Sequence, residues 1–355
     1  MRFIPAVILF LALSGIVAHA QVGGSYTYAF LNQTNSARIA ALGGKNVSLP
    51  DADLNTPFHN PALLSDDMSN NLVMNYVSYF ADIKYGYFSY ARTYRDIGNF
   101  GIGIHYMDYG DFGYADAFGV RSGSFTANEY AFNLFYSRKI DSLIRVGINL
   151  KPVYTNLESY NSFGLVADIG VNYFNPEKLF SAGLVLRNMG GQVTTYYGNA
   201  ERERVPFEIQ AGFTQKLQHA PFRFSVTLHN LQKWNLQYES ELEDENNFLQ
   251  EEEVVTTSGK LGEIADNMMR HVIIGMDFMP INNFYTGFGF NYQRRQEMKL
   301  ASRPAMVGFS WGFGLKVSRF HISYGRASYH LAGGSNHFSL STNLSEFYTR
   351  SGKGD

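Results

Sequence analysis

Along most of the chain the apolar positions recur every second residue. Phe163, Leu165, Ala167, Ile169, Val171 and Tyr173 fall on one side, and Ser162, Gly164, Asp168, Gly170 and Asn172 on the other, with Val166 alone breaking the small or polar set. Ile144, Val146, Ile148 and Leu150 alternate with Arg145, Gly147, Asn149 and Lys151. Later, Phe288, Phe290 and Tyr292 alternate with Gly287, Gly289 and Asn291; Val307, Phe309, Trp311, Phe313, Leu315 and Val317 alternate with Gly308, Ser310, Gly312, Gly314 and Lys316. A period of two belongs to strands, whose side chains point to opposite faces in turn. Fourteen segments carry it, near 71–80, 82–94, 98–107, 128–140, 142–155, 162–174, 178–188, 205–216, 221–230, 270–279, 283–294, 303–317, 318–330 and 336–346.

A soluble β-sandwich alternates too, but three features separate this chain from one. The segments commonly reach ten residues, where ordinary strands average five or six and tilted membrane strands need about 9–11. Their apolar faces are rich in Phe, Tyr and Trp, as interfacial girdles are. Their opposite faces hold Lys151, Asp168 and Lys316, which suit a hydrated or plugged lumen and not a dry core. The expected fold is therefore an all-β, closed antiparallel transmembrane barrel of about 14 strands over residues 71–346, with a C-terminal tail at 347–355. Closure removes the sheet edges that lipid cannot satisfy. The connections after segments 3, 5, 7, 9, 11 and 13 read as the longer, external ones. Those after even-numbered segments read as short periplasmic turns, and the first hairpin near Phe80 departs by being short.

The N-terminus has another pattern. Met1-Arg2, an apolar run from Phe3 to Val17, and Ala18-His19-Ala20 make the three-part layout of a secretory signal over 1–20. The run is too short for a comfortable spanning helix, the alternative reading. The expected location is the outer membrane. Residues 21–70 do not alternate. Ser36 to Gly44 reads as one or two helical turns stopped by glycine, and Asn60-Pro61 as a turn ahead of apolar residues. A segment of this kind ahead of a barrel is expected to form a hatch or plug inside the lumen, or a periplasmic cap.

Composition removes other classes. Cysteine is absent, which excludes a disulfide framework and thiolate metal sites, and a net charge of −2 gives no electrostatic case for nucleic acid. No nucleophile-elbow, zinc-protease or phosphate-loop motif occurs, so no enzyme, cofactor or metal is expected. His105, His229, His321 and His337 fall on lumen faces; a proton relay or catalytic dyad needs a paired Ser or carboxylate at a telling spacing, and they read as polar lumen residues. Asp51 and Asp53 are too few for a calcium cage and read as a capped turn. The sharpest local feature is acidic: Glu239, Glu241, Glu243, Asp244, Glu245, Glu251, Glu252 and Glu253. They form either a solvated external loop or a docking surface for a basic or cation-bridged partner.

The hatch candidates Ser36, Arg38, Gly43, Gly44, Asp51, Asp53, Asn60 and Pro61 stand in a string that resembles the hatch of the long-chain fatty-acid transporter (FadL-type) superfamily. Within that superfamily, Gly24-Ser25-Tyr26-Thr27-Tyr28 and the stretch Asn75 to Asp82 resemble the PorQ family, barrel components of the type IX secretion system. That resemblance implies a non-enzymatic scaffold of the attachment complex. It would hold a surface-exposed PorZ-type protein through external loops, alongside a sortase and a shuttle barrel. The broader resemblance implies the alternative, a passive transporter of hydrophobic small molecules. One departure is the end of the chain: Phe347-Tyr348 is followed by a polar tail to Asp355, where a barrel-assembly signal usually ends on an aromatic residue.

Overall fold

A computed structural model describes residues 26–95, 97–115, 118, 120–198, 201–236, 257–298, 306–330 and 333–348. The signal segment, the acidic run and the tail after Tyr348 lie outside them. The described strands are β1 (Asn71–Ser78), β2 (Lys84–Tyr94), β3 (Gly98–Ala115), β4 (Arg121–Lys139), β5 (Ile144–Leu157), β6 (Tyr160–Asn175), β7 (Phe180–Thr194), β8 (Glu208–Lys216), β9 (Phe222–Leu228), β10 (Val272–Ile281), β11 (Phe284–Asn291), β12 (Phe309–Val317), β13 (Phe320–His330) and β14 (Gly333–Asn343). Each pairs antiparallel with its sequence neighbours, and β1 closes on β14 with Asn71 opposite Asn343. Among the described residues this is one closed barrel of fourteen strands, as the alternation predicts.

The wall is apolar outside and polar inside. Phe163, Ile169, Phe288, Phe309, Trp311 and Phe313 are exposed, whereas Ser162, Asp168, Asn172 and Ser310 are buried. Water would not tolerate that outer surface, but hydrocarbon would. No described helix is long and apolar enough to cross a membrane. His105, His229 and His337 are buried on the lumen side.

Several boundaries differ from the sequence reading, each for a local reason. β3 and β4 run on past 107 and start before 128, in the ladder Asp111↔Thr126, Phe112↔Phe125 and Gly113↔Ser124. Both faces of this ribbon are exposed, so the apolar alternation fades while the backbone pairing continues. β8 starts at Glu208, after Pro206, which has no N–H for a ladder. β11 stops at Asn291 because Tyr292–Met298 turns into helix. A further helix, Thr257–Arg270, occupies part of a connection read as loop. The expectation of longer connections after strands 3, 5 and 13 is corrected. β5 and β6 are joined by 158–159, β13 and β14 by 331–332, and β3 and β4 by 116–120, because the strands themselves lengthen. The long connections are 195–207, 229–271 and 292–308.

Residues 26–70 fill the interior. Helix α1 (Ala37–Ala41) packs on β11 to β14, and the 3-10 turn Pro61–Leu63 packs on β4 to β6. Ile39, Leu42 and Leu49 form one buried cluster. Leu54, Phe58, Leu64 and Met68 form another with Val73, Tyr87, Ala91 and Phe135 of the wall. Each such side chain removed from water contributes about 1.5–3 kcal/mol, so the plug is a packed core and not a loose tether.

Candidate functional site

Every hatch residue singled out from sequence has a structural task. Ser36 caps α1, its hydroxyl accepting the Ile39 N–H at 3.4 Å. Gly43 and Gly44 end the helix with φ of +100° and +99°, and a Cβ on Gly43 would lie 2.4 Å from the Ile273 side chain. Asp53 accepts the backbone N–H of Asn55 at 3.0 Å, a capped turn. Asn60 accepts the Ala62 N–H at 3.0 Å and donates to Val47 O at 2.8 Å, which fixes the turn at Pro61. That turn sits in a notch in the wall. A Cβ on Gly170 would lie 1.9 Å from Asn60 Oδ1, and one on Gly147 2.4 Å from the Pro61 carbonyl carbon.

Three buried ion clusters tie hatch to wall. In the first, Arg38 meets Asp51 at 2.6 Å, Arg223 of β9 meets Asp51 at 2.7 Å, and the Arg223 Nε donates to Asp277 of β10 at 2.9 Å. Two cations and two carboxylates cancel, and the Arg38 guanidinium lies 4.4 Å over the Tyr285 ring. Burial works against the Asp51 charge, but Arg223 and Arg38 outweigh it and hold the carboxyl well below the usual range. In the second, Lys151 of β5 meets Asp168 of β6 at 2.6 Å and donates to Asn188 Oδ1 of β7 at 2.5 Å. The Asn188 side chain donates in turn to Asn32 of the hatch at 2.9 Å. In the third, Lys45 meets Glu208 of β8 at 2.5 Å, with His229 Nδ1 at 3.7 Å from the same carboxylate oxygen. Arg187 adds hydrogen bonds to the hatch carbonyls of Leu31 and Phe58 at 3.3 and 3.5 Å. Of the lumen charges read from the sequence, Lys151 and Asp168 are engaged in this way, whereas Lys316 is exposed and lies 3.5 Å from Glu346. Lys45, Arg187 and Glu208 were not singled out; for Arg187 and Glu208 a charged residue at an inward position of the alternation was the available signal, and Lys45, in the hatch, had none.

Among the described residues, neither His105 nor His337 stands in a complete relay of nucleophile, base and orienting group. His105 packs among the rings of Phe30, Phe58 and Tyr85 at centroid distances of 5.3, 5.3 and 5.9 Å. His337 Nε2 lies 2.7 Å from Ser335 Oγ, a contact between two same-face residues of one strand. Its Nδ1 has no partner among the described residues, so the orienting group that a hydroxyl nucleophile needs is missing.

A second candidate site lies at the end of the barrel where the long connections gather, the outer mouth in the orientation expected from sequence. A cavity of ≈ 540 Å³ is lined by the rings of Tyr28, Tyr109, Phe112, Tyr160, Tyr196 and Tyr197, with Glu129 and Glu203 among them. It brings together the start of the hatch, the outer ends of β3 to β6, and the β7–β8 connection. Tyr28 Oη is 2.5 Å from Ser162 Oγ, and burial pushes its phenol up to about 12. Thr27 Oγ1 is 3.0 Å from Tyr196 Oη. The cavity stands beside the place where the β7–β8 ladder stops. β7 pairs with β8 only from Phe180 to Arg187. Beyond that, residues 203–206 take the place of strand: Pro206 O accepts from Asn188 Nδ2 at 2.9 Å, and the Glu203 N–H donates to Gln192 Oε1 at 2.7 Å. Sequence reasoning missed this site because its parts come from separate elements and share no motif.

No family model and no curated protein matches the chain. Solved structures do. The P. putida toluene transporter TodX is 12% identical, with 88% of this chain and 99% of that chain covered and a TM-score of 0.51. A TodX deltaS2S3 mutant, described as a monoaromatic hydrocarbon channel, is 12% identical over 87% and 99% at a TM-score of 0.51. A Pseudomonas aeruginosa FadL homologue is 11% identical over 88% and 98% at 0.48. The likeness to TodX is one of fold.

Proposed function

We propose that this chain is an outer-membrane barrel that captures hydrophobic small molecules at its external mouth and passes them sideways through the wall, while the hatch keeps the lumen shut. The observation that carries the reading is the aromatic cavity beside the outer part of β7, where β8 no longer pairs. Such a pocket, mostly apolar with a few fixed polar groups, is the form that small-molecule sites usually take. The packed, ion-paired hatch argues for a lateral exit and against a path down the axis. The fold shared with a toluene transporter supports the same reading. The test is equilibrium binding of naphthalene to the detergent-solubilised barrel. Tyr28→Ala and Tyr196→Ala should each weaken it, and equal binding by all three proteins would exclude the cavity.

A second reading is favoured by the firmness of the hatch, which suits a static platform. On it, the chain is the PorQ-like scaffold implied by the sequence resemblance, non-enzymatic, with a PorZ-type surface protein held on loops 189–204 and 231–269 and the sortase and shuttle barrel alongside. The acidic residues Glu239 to Glu253 would steer the partner, an effect that fades as salt brings the Debye length below about 10 Å. Shortening both loops would free the partner into the medium while the barrel still folds. A partner that stays cell-bound after that change would exclude loop docking.

A further inference from the structure

We infer that the outer-mouth cavity is a site for an organic cation: an amine or quaternary ammonium group carried on an apolar body, its charge held over tyrosine rings beside Glu129. The inference rests on reading that cavity as a ligand site. It narrows the ligand by the charge the walls would leave unmatched.

Glu129 of β4 is only 4% exposed, yet it opens on the cavity. It accepts hydrogen bonds from the Tyr109 hydroxyl and from Thr155 Oγ1, the latter at 3.0 Å. No Lys, Arg or His among the described residues forms an ion pair with it. The other deeply buried carboxylates behave differently: Asp168 has Lys151, Asp277 has Arg223 and Arg38, and Glu208 has Lys45. Buried charge in proteins is paired as a rule, because the cost of desolvation is otherwise unrelieved. Here the missing counter-charge faces a cavity.

The lining fits that missing charge. It contains six tyrosines and a phenylalanine, a second carboxylate in Glu203, and no Lys, Arg or His. The hydroxyls of Tyr28 and Tyr196 are engaged by Ser162 and Thr27, so what these residues have left to offer is ring surface. Tyr160 and Tyr197 stand with centroids 4.9 Å apart at the rim. Ring faces attract ammonium groups through their quadrupoles, and quaternary ammonium groups, too weakly hydrated to resist desolvation, are favoured guests of such cages. A carboxylate amphiphile would instead meet two carboxylates and no cation. A neutral hydrocarbon would fill the space and leave Glu129 uncompensated.

The test uses the purified full-length barrel in a maltoside detergent and compares benzyltrimethylammonium with neopentylbenzene, its neutral isostere, by calorimetric titration. The expected result is a preference for the cation of about tenfold, which Glu129→Gln brings close to parity. Should E129Q fail to fold, Tyr196→Leu, which keeps the apolar volume and removes the ring, should weaken the cation more than the isostere. Equal affinity for both compounds overturns the cation site and leaves hydrophobic capture standing. Binding of neither overturns both. Tighter binding of phenylacetate than of the cation also overturns the inference.

Discussion

Lys45 of the hatch and Glu208 of β8 meet at 2.5 Å inside the barrel, where the Glu208 side chain is 1% exposed. One partner comes from a segment before the first strand and the other from the eighth strand. Their contact therefore reports directly whether the hatch is seated. Glu208→Gln leaves the Lys45 charge without its partner and should cost about 3–5 kcal/mol. A double replacement, Lys45→Met with Glu208→Leu, should recover most of that loss. Urea unfolding of the barrel in detergent measures both, and a single variant as stable as the parent would show that the pair does not hold the hatch.

The notch that receives the Asn60-Pro61 turn should be as demanding as its geometry. Gly170→Val places side-chain atoms where Asn60 Oδ1 now lies, 1.9 Å from the first added carbon. The turn must then leave the wall. Liposome-swelling rates for small sugars should rise, and should rise further when residues 26–70 are deleted. Unchanged permeability in the deletion would mean that this segment is not the plug.

The wall makes a separate prediction. Ile169 is 46% exposed on the outer face of β6. Lysine there should cost about 2–4 kcal/mol if that face lies at mid-depth in lipid. Lysine at the loop residue Tyr197, which is 60% exposed, should cost little. Folding into bilayers of defined thickness compares the two, and equal tolerance would remove the membrane assignment.

Acid should loosen the hatch in two stages. Burial holds the His59 imidazole well below its ordinary value, helped by Arg187 and Lys45. The unfolded chain then binds the extra proton first, so this contribution to stability is present above the ordinary imidazole value of 6.5 and declines as pH falls below it. Asp51 is also depressed; its contribution is present above the ordinary carboxyl value of 3.8 and is lost as pH falls below that. His59→Phe should make the upper stage shallower and leave the lower one, because the buried His105, His229 and His337 remain. A pH–stability curve of the variant that declines below 6.5 as steeply as the parent's would assign that stage elsewhere.

The barrel was legible because lipid outside and polar groups inside impose one period on every strand, as Phe163 to Tyr173 display. Strand ends were less so. Over 111–115 and 121–124 the β3–β4 ribbon is exposed on both faces, so no burial difference marks it. The helix at Tyr292 follows an aromatic alternation that continues in sequence after the ladder has stopped. Within the hatch, Asn60-Pro61 announced its turn, whereas Asp51, read as a local cap, instead bridges Arg38 and Arg223. That role depends on a residue 172 positions away, and no local pattern carries it. The outer cavity was illegible for the same reason: Tyr28, Glu129 and Tyr196 converge only once the barrel closes.

The measurement that bears most directly on the account is uptake of labelled naphthalene by cells whose outer membrane carries this barrel, compared with barrels bearing Tyr28→Ala or Tyr196→Ala that fold to the same level. The account predicts faster uptake than in cells without the barrel, and a return to that background rate in both variants. Uptake that the parent barrel does not raise, or that both cavity variants leave undiminished, would contradict it.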